Sequence, residues 1–124
     1  MMRAALCVLL AGWCSVSEAG DGEFTSRSSP VDLLRAYSYA SCVASAYTNT
    51  ETGNDAQRIA ETLREALPNT KPEVFAALRA YASKQQSGAP AVSNNANFGL
   101  LRCLELFNSA ELKKVVRQEM KRGK

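Results

Sequence analysis

Histidine does not occur anywhere in the 124 residues of this chain. Its absence removes the side chain that most often acts as general base near neutral pH, and the commonest neutral metal ligand. No Ser-His or Cys-His nucleophile can be assembled within the chain. Aromatic residues are scarce, at 7%, with one Trp. There are only 4 Pro and 7 Gly, mostly outside the periodic segments. With abundant Ala, this composition favours helices over a β-sandwich. The charge balance is mild, at +3 from 15 basic and 12 acidic residues. That is too small to imply nucleic acid by itself. No C-x-x-C pair is present, which argues against a thioredoxin-like redox role. Internal repeats, a heptad run and a phosphate loop are also missing.

The N-terminus does carry a signal. Met1–Ala19 begins with Arg3, continues with an apolar run from Ala4 to Trp13, and ends Ser17-Glu18-Ala19. Small residues at −3 and −1 relative to a cut after Ala19 complete the pattern of a cleaved secretory signal peptide. The run is about ten residues, against roughly 20 for a bilayer span. Leu6 and Trp13 precede Cys7 and Cys14, where a lipid-anchoring signal wants a small residue, so no stable membrane anchor is expected. The expected organisation is 1–19 signal peptide, 20–29 flexible lead-in and 30–124 one helical domain, exported to a bacterial periplasm.

Export changes the cysteine arithmetic. Cys7 and Cys14 leave with the signal, and Cys42 and Cys103 remain. An oxidising compartment lets these two pair, closing a loop of about 60 residues. The other reading of the same pair is two buried thiols.

Ser29-Pro30-Val31-Asp32 is a helix start: Ser29 caps, Pro30 fits the first turn and Asp32 complements the dipole. This helix is expected to reach Tyr47, with Leu33, Tyr37, Ala40, Ala44 and Tyr47 on one face. Tyr37, Tyr39 and Tyr47 are expected at the edge of the core, where their hydroxyls find partners. Thr48–Asn54 reads as a turn. A second helix is expected from about Asp55 to Ala66, with Ile59 and Leu63 marking its apolar side. Pro68 follows its end. Thr70-Lys71-Pro72-Glu73 has the capping-box pattern, and a third helix is expected to about Lys84 with Val74, Phe75, Leu78, Tyr81 and Ala82 inward.

The stretch Asn97–Leu112 is the most informative. Leu100, Leu101, Leu104 and Phe107 recur at helical spacing, which predicts a stripe facing a core with Cys103 beside it. Ser109 then caps a last helix, with Glu111 in its first turn. That helix, from Ala110 to about Lys121, places Leu112, Val115, Val116 and Met120 inward and is otherwise basic. No aromatic is interleaved among its cations, so nucleic acid is not expected as a partner. The whole reads as an all-α, compact bundle of about five helices with one disulfide. Between the third and fourth helices lies Gln85–Asn97, a stretch of about a dozen residues without helical period. Loops of that length in a compact domain are usually functional or disordered.

Two segments together carry a resemblance: R-A-Y-S-Y-A-S-C-V-A-S-A-Y at Arg35–Tyr47 and R-C-L-E-L-F-N-S-A-E-L at Arg102–Leu112. In this order, behind a signal peptide in a short chain, they resemble the amidase immunity proteins of type VI secretion systems, in the group that neutralises family-4 cell-wall amidases. The resemblance implies a periplasmic, all-helical, often dimeric protein. It implies a partner too: a peptidoglycan amidase effector, a Cys-His hydrolase whose site is blocked. The family's motif cysteines fall on Cys42 and Cys103, and its loop before the second motif falls on Gln86–Asn97. The residues expected to meet the toxin are Ser87, Gly88, Ala89, Pro90, Ala91, Val92, Ser93, Asn94 and Asn95.

A small periplasmic chaperone is the rival from another class. It would need apolar surface that opens on stress, and without histidine only carboxylates could sense acid. A cell-wall enzyme would need carboxylates converging on a cleft, whereas Asp32, Glu73, Glu105 and Glu111 have plainer places at caps and surfaces. Neither a catalytic site nor a cofactor or metal is expected.

Overall fold

The computed structural model describes residues 23–87 and 97–124. These form six helices: α1 (Glu23–Arg27), α2 (Pro30–Ala46), α3 (Glu51–Glu65), α4 (Pro72–Ser87), α5 (Asn97–Asn108) and α6 (Ala110–Arg122). The fold is all-α. α2 is its axis and touches each of α3 to α6. Leu33, Leu34, Tyr37, Ala40, Cys42 and Val43 bury its faces. Small residues on α2, among them Ala40, Ser41 and the fully buried Ser38, let neighbouring helices approach closely. Ser38 costs little there because its hydroxyl donates to the Leu34 carbonyl at 2.9 Å, within its own helix. Leu78 and Ala82 of α4 and Leu112 and Val116 of α6 complete the interior, all at 0% exposure.

Hydroxyl caps set three of the boundaries. Ser29 Oγ accepts from Asp32 N at the start of α2, and Ser109 Oγ from Leu112 N at the start of α6 at 3.1 Å. Thr50 caps α3 by accepting from Gly53 N at 3.1 Å. That last cap corrects the expected start of the second helix at Asp55, which lies four residues inside α3. The turn before it is tight and uses Asn49 at φ 63, a left-handed conformation that Asn tolerates better than most residues.

Other expectations shift for identifiable reasons. The lead-in at 20–29 is not wholly irregular, since Glu23–Arg27 make a helical turn. α4 begins at Pro72, leaving Lys71 rather than Thr70 at the cap position. At its other end α4 runs on to Ser87, so Gln85 and Gln86 belong to a helix. Tyr37 does not sit at the core's edge. It is 3% exposed, its ring edge-on to Phe75 at 5.0 Å. Ile59 is exposed while Leu63 is buried, because α3 turns its Gly53-Ala56-Ala60-Leu63 row to α2.

The largest correction concerns α5. Leu100, Leu101 and Leu104 are 41, 49 and 42% exposed, while Cys103 and Leu106 are 0 and 6%. Cys42 and Cys103 are joined as a disulfide with Cα atoms 5.6 Å apart, within the usual span. The disulfide fixes which side of α5 turns inward.

Asp32 accepts from the Ser29 hydroxyl, which holds its carboxyl below the usual range, with a smaller contribution from Arg35. A depressed folded value means that its contribution is present above the ordinary carboxylate range and fades as pH falls through the folded value.

Two outcomes follow for stability. Replacing both cysteines, Cys42→Ala with Cys103→Ala, frees a loop with sequence separation 61; chemical denaturation should show a loss of roughly 4 kcal/mol. Gly53→Ala should destabilise, although Ala is the better helix former by about 1 kcal/mol. A Cβ at 53 would overlap the backbone carbonyl of Tyr47, and overpacking against backbone costs about 1–3 kcal/mol. A thermal midpoint at or above the parent's would contradict that packing.

Candidate functional site

The ends of residues 88–96 are attached close to the disulfide. At the end of α4 the Gln86 Oε1 lies 3.8 Å from the Sγ atoms of both Cys42 and Cys103. Disulfide sulfurs have no hydrogen to donate, so these are packing contacts. At the start of α5, a Cβ on Gly99 would come within 3.1 Å of the Ala46 Cβ and 3.5 Å of the Gln86 amide nitrogen. The C-terminal end of α2, the last turn of α4 and the first turn of α5 therefore meet around one covalent bond. Of the residues expected to face a partner, Ser87 is the last residue of α4. Gly88, Ala89, Pro90, Ala91, Val92, Ser93, Asn94 and Asn95 lie outside the described residues.

α5 runs antiparallel to α2, as shown by the Cys42–Cys103 bond and, nearer the start of α2, by Arg35. The Arg35 guanidinium donates to the Phe107 carbonyl at 2.8 Å and lies 4.8 Å over the Phe107 ring. Tyr39 stands edge-on to the same ring at 5.7 Å. The C-terminus of α5, with its unsatisfied carbonyls and negative dipole end, is thus held by a cation.

This rotation leaves an apolar groove of about 430 Å³ between α2, α3 and α5, closed on one side by Phe24 of α1. Its floor is small: Ala36, Ala40, Val43 and Ala56. Its rims are large: Phe24 and Ile59, both 55% exposed, and Leu100. Leu104 and Leu101 lie on the same helix as Leu100, roughly 40° and 100° further round it. These five are the exposed large hydrophobics among the described residues, and three of them, Phe24, Ile59 and Leu100, line this one groove. An apolar surface of this kind marks an interaction site more often than an idle one. Sequence reasoning placed Ile59, Leu100, Leu101 and Leu104 in the core. The available signal was the width of the apolar arc on α5, roughly 220° from Leu106 round to Leu101 at about 100° per residue. One neighbouring body cannot cover so wide an arc.

No group of three or more Cys, Asp or Glu residues among the described residues is placed to hold a metal ion. Asp32, Glu73, Glu105 and Glu111 are exposed and lie on different helices. Tyr81 lines a polar pocket of about 290 Å³ with Gln85, Arg102, Glu105 and Glu111. Burial, and secondarily Glu111, pushes its hydroxyl up from 10.0, so it stays protonated and is no base at neutral pH. No helix of the described residues is long and apolar enough to cross a membrane.

Searches of curated proteins and of solved structures gave no match. Residues 32–116, from the first turn of α2 to the middle of α6, match a family described as "Type VI secretion system (T6SS), amidase immunity protein". The match includes α2 with Cys42, α5 with Cys103, and the groove walls on α2, α3 and α5. The chain belongs to the type VI secretion system amidase immunity protein family.

Proposed function

We propose that this chain is a periplasmic immunity protein that binds one peptidoglycan amidase effector, a Cys-His hydrolase, and blocks its active-site groove. The loop read at Gln86–Asn97 is the obstructing element, and the protein works as an inhibitor rather than a catalyst. The observation that carries this reading is the anchoring of both loop ends beside the Cys42–Cys103 disulfide. A loop held at fixed ends gives up less freedom on binding than a free segment of the same length. Ser87-Gly88-Ala89-Pro90-Ala91-Val92 is small enough for a groove shaped for an extended peptide. Pro90 fixes one backbone angle, and Ser93, Asn94 and Asn95 supply hydrogen-bonding groups. Export with cleavage near Ala19 places the inhibitor where such an amidase acts.

We further propose that the apolar groove is the face of a homodimer. Closed two-fold dimers use one patch on both subunits, so projecting groups must fit recesses of the same patch. Ile59 and Leu100 project beside a floor of Ala36, Ala40 and Ala56, which offers both halves of such a fit. Asp55, the charged residue that lines the groove, is paired with Arg58 at 3.3 Å, so little net charge would oppose self-contact.

Replacing Ser87–Asn95 with a Gly/Ser linker of equal length should abolish inhibition of the amidase while thermal unfolding changes little, since no described core residue is altered. Inhibition as tight as the parent's would exclude the loop as the inhibitory element. Sedimentation at micromolar concentration should give twice the monomer mass. Ile59→Asp with Leu100→Asp should return it to the monomer. A monomeric parent, or a double variant that stays dimeric, would remove this face from the dimer.

A further inference from the structure

The net positive charge of the chain is concentrated in its last helix. Residues 110–124 hold six cations and two acids, whereas the preceding residues hold nine cations and ten acids. At about 100° per residue, Lys113, Lys114, Arg117 and Lys121 fall within roughly a 100° arc of α6. All four are exposed. Leu112 and Val116, at 0% exposure, hold the opposite side of the helix in the core. Glu119 lies outside the arc and is paired with Arg122 at 3.1 Å. The ion pairs Arg35–Asp32 and Arg58–Asp55 likewise take no cation from this arc.

The helix dipole accounts for cations in the last turn, such as Lys121 and Arg122. It does not account for Lys113 and Lys114 in the first half. Spacings of three and four put Lys114, Lys113 and Lys121 next to Arg117, and like charges at those spacings destabilise a helix. The arrangement therefore opposes the stability of α6 and is offset only in part, near the start of that helix, where Lys113 acts favourably on the Asp32 carboxylate and Glu111 stands three positions before Lys114. Its effect is a concentrated field over one exposed face. Apart from Ala110, that face has no aromatic or aliphatic group, and none large enough to serve as the buried anchor that protein hot spots use. Three of the four cations are Lys, flexible point charges that read charge density rather than the planar geometry Arg favours.

We infer that this face of α6 adsorbs to anionic phospholipid headgroups. The contact is electrostatic and reversible, distinct from an anchor. It rests on the proposed periplasmic placement and not on the identity of the amidase. The arc shares no residue with the apolar groove or with residues 86–97, so adsorption leaves both free.

The test uses purified protein and vesicles of phosphatidylglycerol mixed with phosphatidylcholine, against phosphatidylcholine alone, in co-sedimentation at low and high salt. Binding to the anionic vesicles at low salt, lost at high salt and absent with phosphatidylcholine, is the expected result. The variant K114Q/R117Q/K121Q keeps good helix formers and should bind about 100-fold more weakly. Amidase inhibition should be unchanged, and the thermal midpoint should equal or slightly exceed the parent's because the repulsion along α6 is relieved. Charge reversal, K114E/R117E/K121E, should abolish binding and provides a second reading if the first variant folds poorly. Absent or salt-insensitive vesicle binding overturns the inference, as does equal binding by the variants. Variants that keep vesicle binding and lose amidase inhibition overturn it in favour of an acidic protein surface.

Discussion

Two fixed points hold α5 against α2, the disulfide at Cys103 and the Arg35 guanidinium on the Phe107 carbonyl. The remaining surface follows from them. A helix whose apolar residues run around more than half its circumference has no preferred rotation from hydrophobicity alone. The covalent bond selects one: Cys103 and Leu106 go in, and Leu100, Leu101 and Leu104 stay out. Arg35 fixes the other end, where the carbonyls of the last turn have no intrahelical donor. Its Nη1 is held by Asp32 at 3.3 Å, and Asp32 in turn by the Ser29 hydroxyl at 2.8 Å. The cap of α2 thus reaches, through two side chains, the C-terminus of a helix 72 positions further along the chain. One pairing of helices determines where residues 88–96 are attached and which apolar surface is left uncovered.

The parts of this arrangement that depend on local chemistry were legible in the sequence. Ser29 and Ser109 cap as their neighbours suggest, and α2, α3, α4 and α6 appear wherever apolar residues recur at helical period. The parts that depend on a neighbour were not. Gly53 reads as a turn residue, yet it lies in the first turn of α3 because the Tyr47 carbonyl leaves no room for a side chain. Thr50, not a residue near Asp55, caps that helix, and a lone Thr in a polar stretch carries no mark of it. Leu100, Leu101 and Leu104 carry the pattern of core residues. Hydrophobic period reports that a face avoids water. It does not report whether the cover comes from the same chain, and at α5 the described chain covers only one half. An apolar arc wider than one neighbour can bury was the visible clue, and only a fixed rotation of the helix turns it into named exposed residues.

Polarity is segregated over the surface in a way that a charge of +3 conceals. The groove between α2, α3 and α5 is apolar, with Asp55 and Thr52 at its margin. The exposed face of α6 is basic, and α3 carries more acids than cations. A small domain has few helices with which to separate functions, and here the apolar groove and the basic face of α6 occupy different helices. Such separation lets contacts of different chemistry form without displacing one another. It also explains why a composition that excludes little yields a structure with distinct faces.

The disulfide makes the frame conditional on compartment. In a reducing cytosol Cys42 and Cys103 would be thiols, and α5 would be held to α2 by packing and by Arg35 alone. The loss would be felt most where Gln86, the two sulfurs and Gly99 converge, because the bond ties α5 to α2 there and the last turn of α4 packs against it through Gln86. A binding element suspended from that point gains most from the bond. Holding its ends lowers the freedom it must lose on engaging a partner, and it does so without adding any contact to the partner's surface. On the reading proposed for this chain, oxidation and toxin exposure occur on the same side of the inner membrane. The inhibitor then reaches its most rigid form in the compartment where the amidase threatens the wall. On the same reading, the reduced chain before export would hold the same helices more loosely.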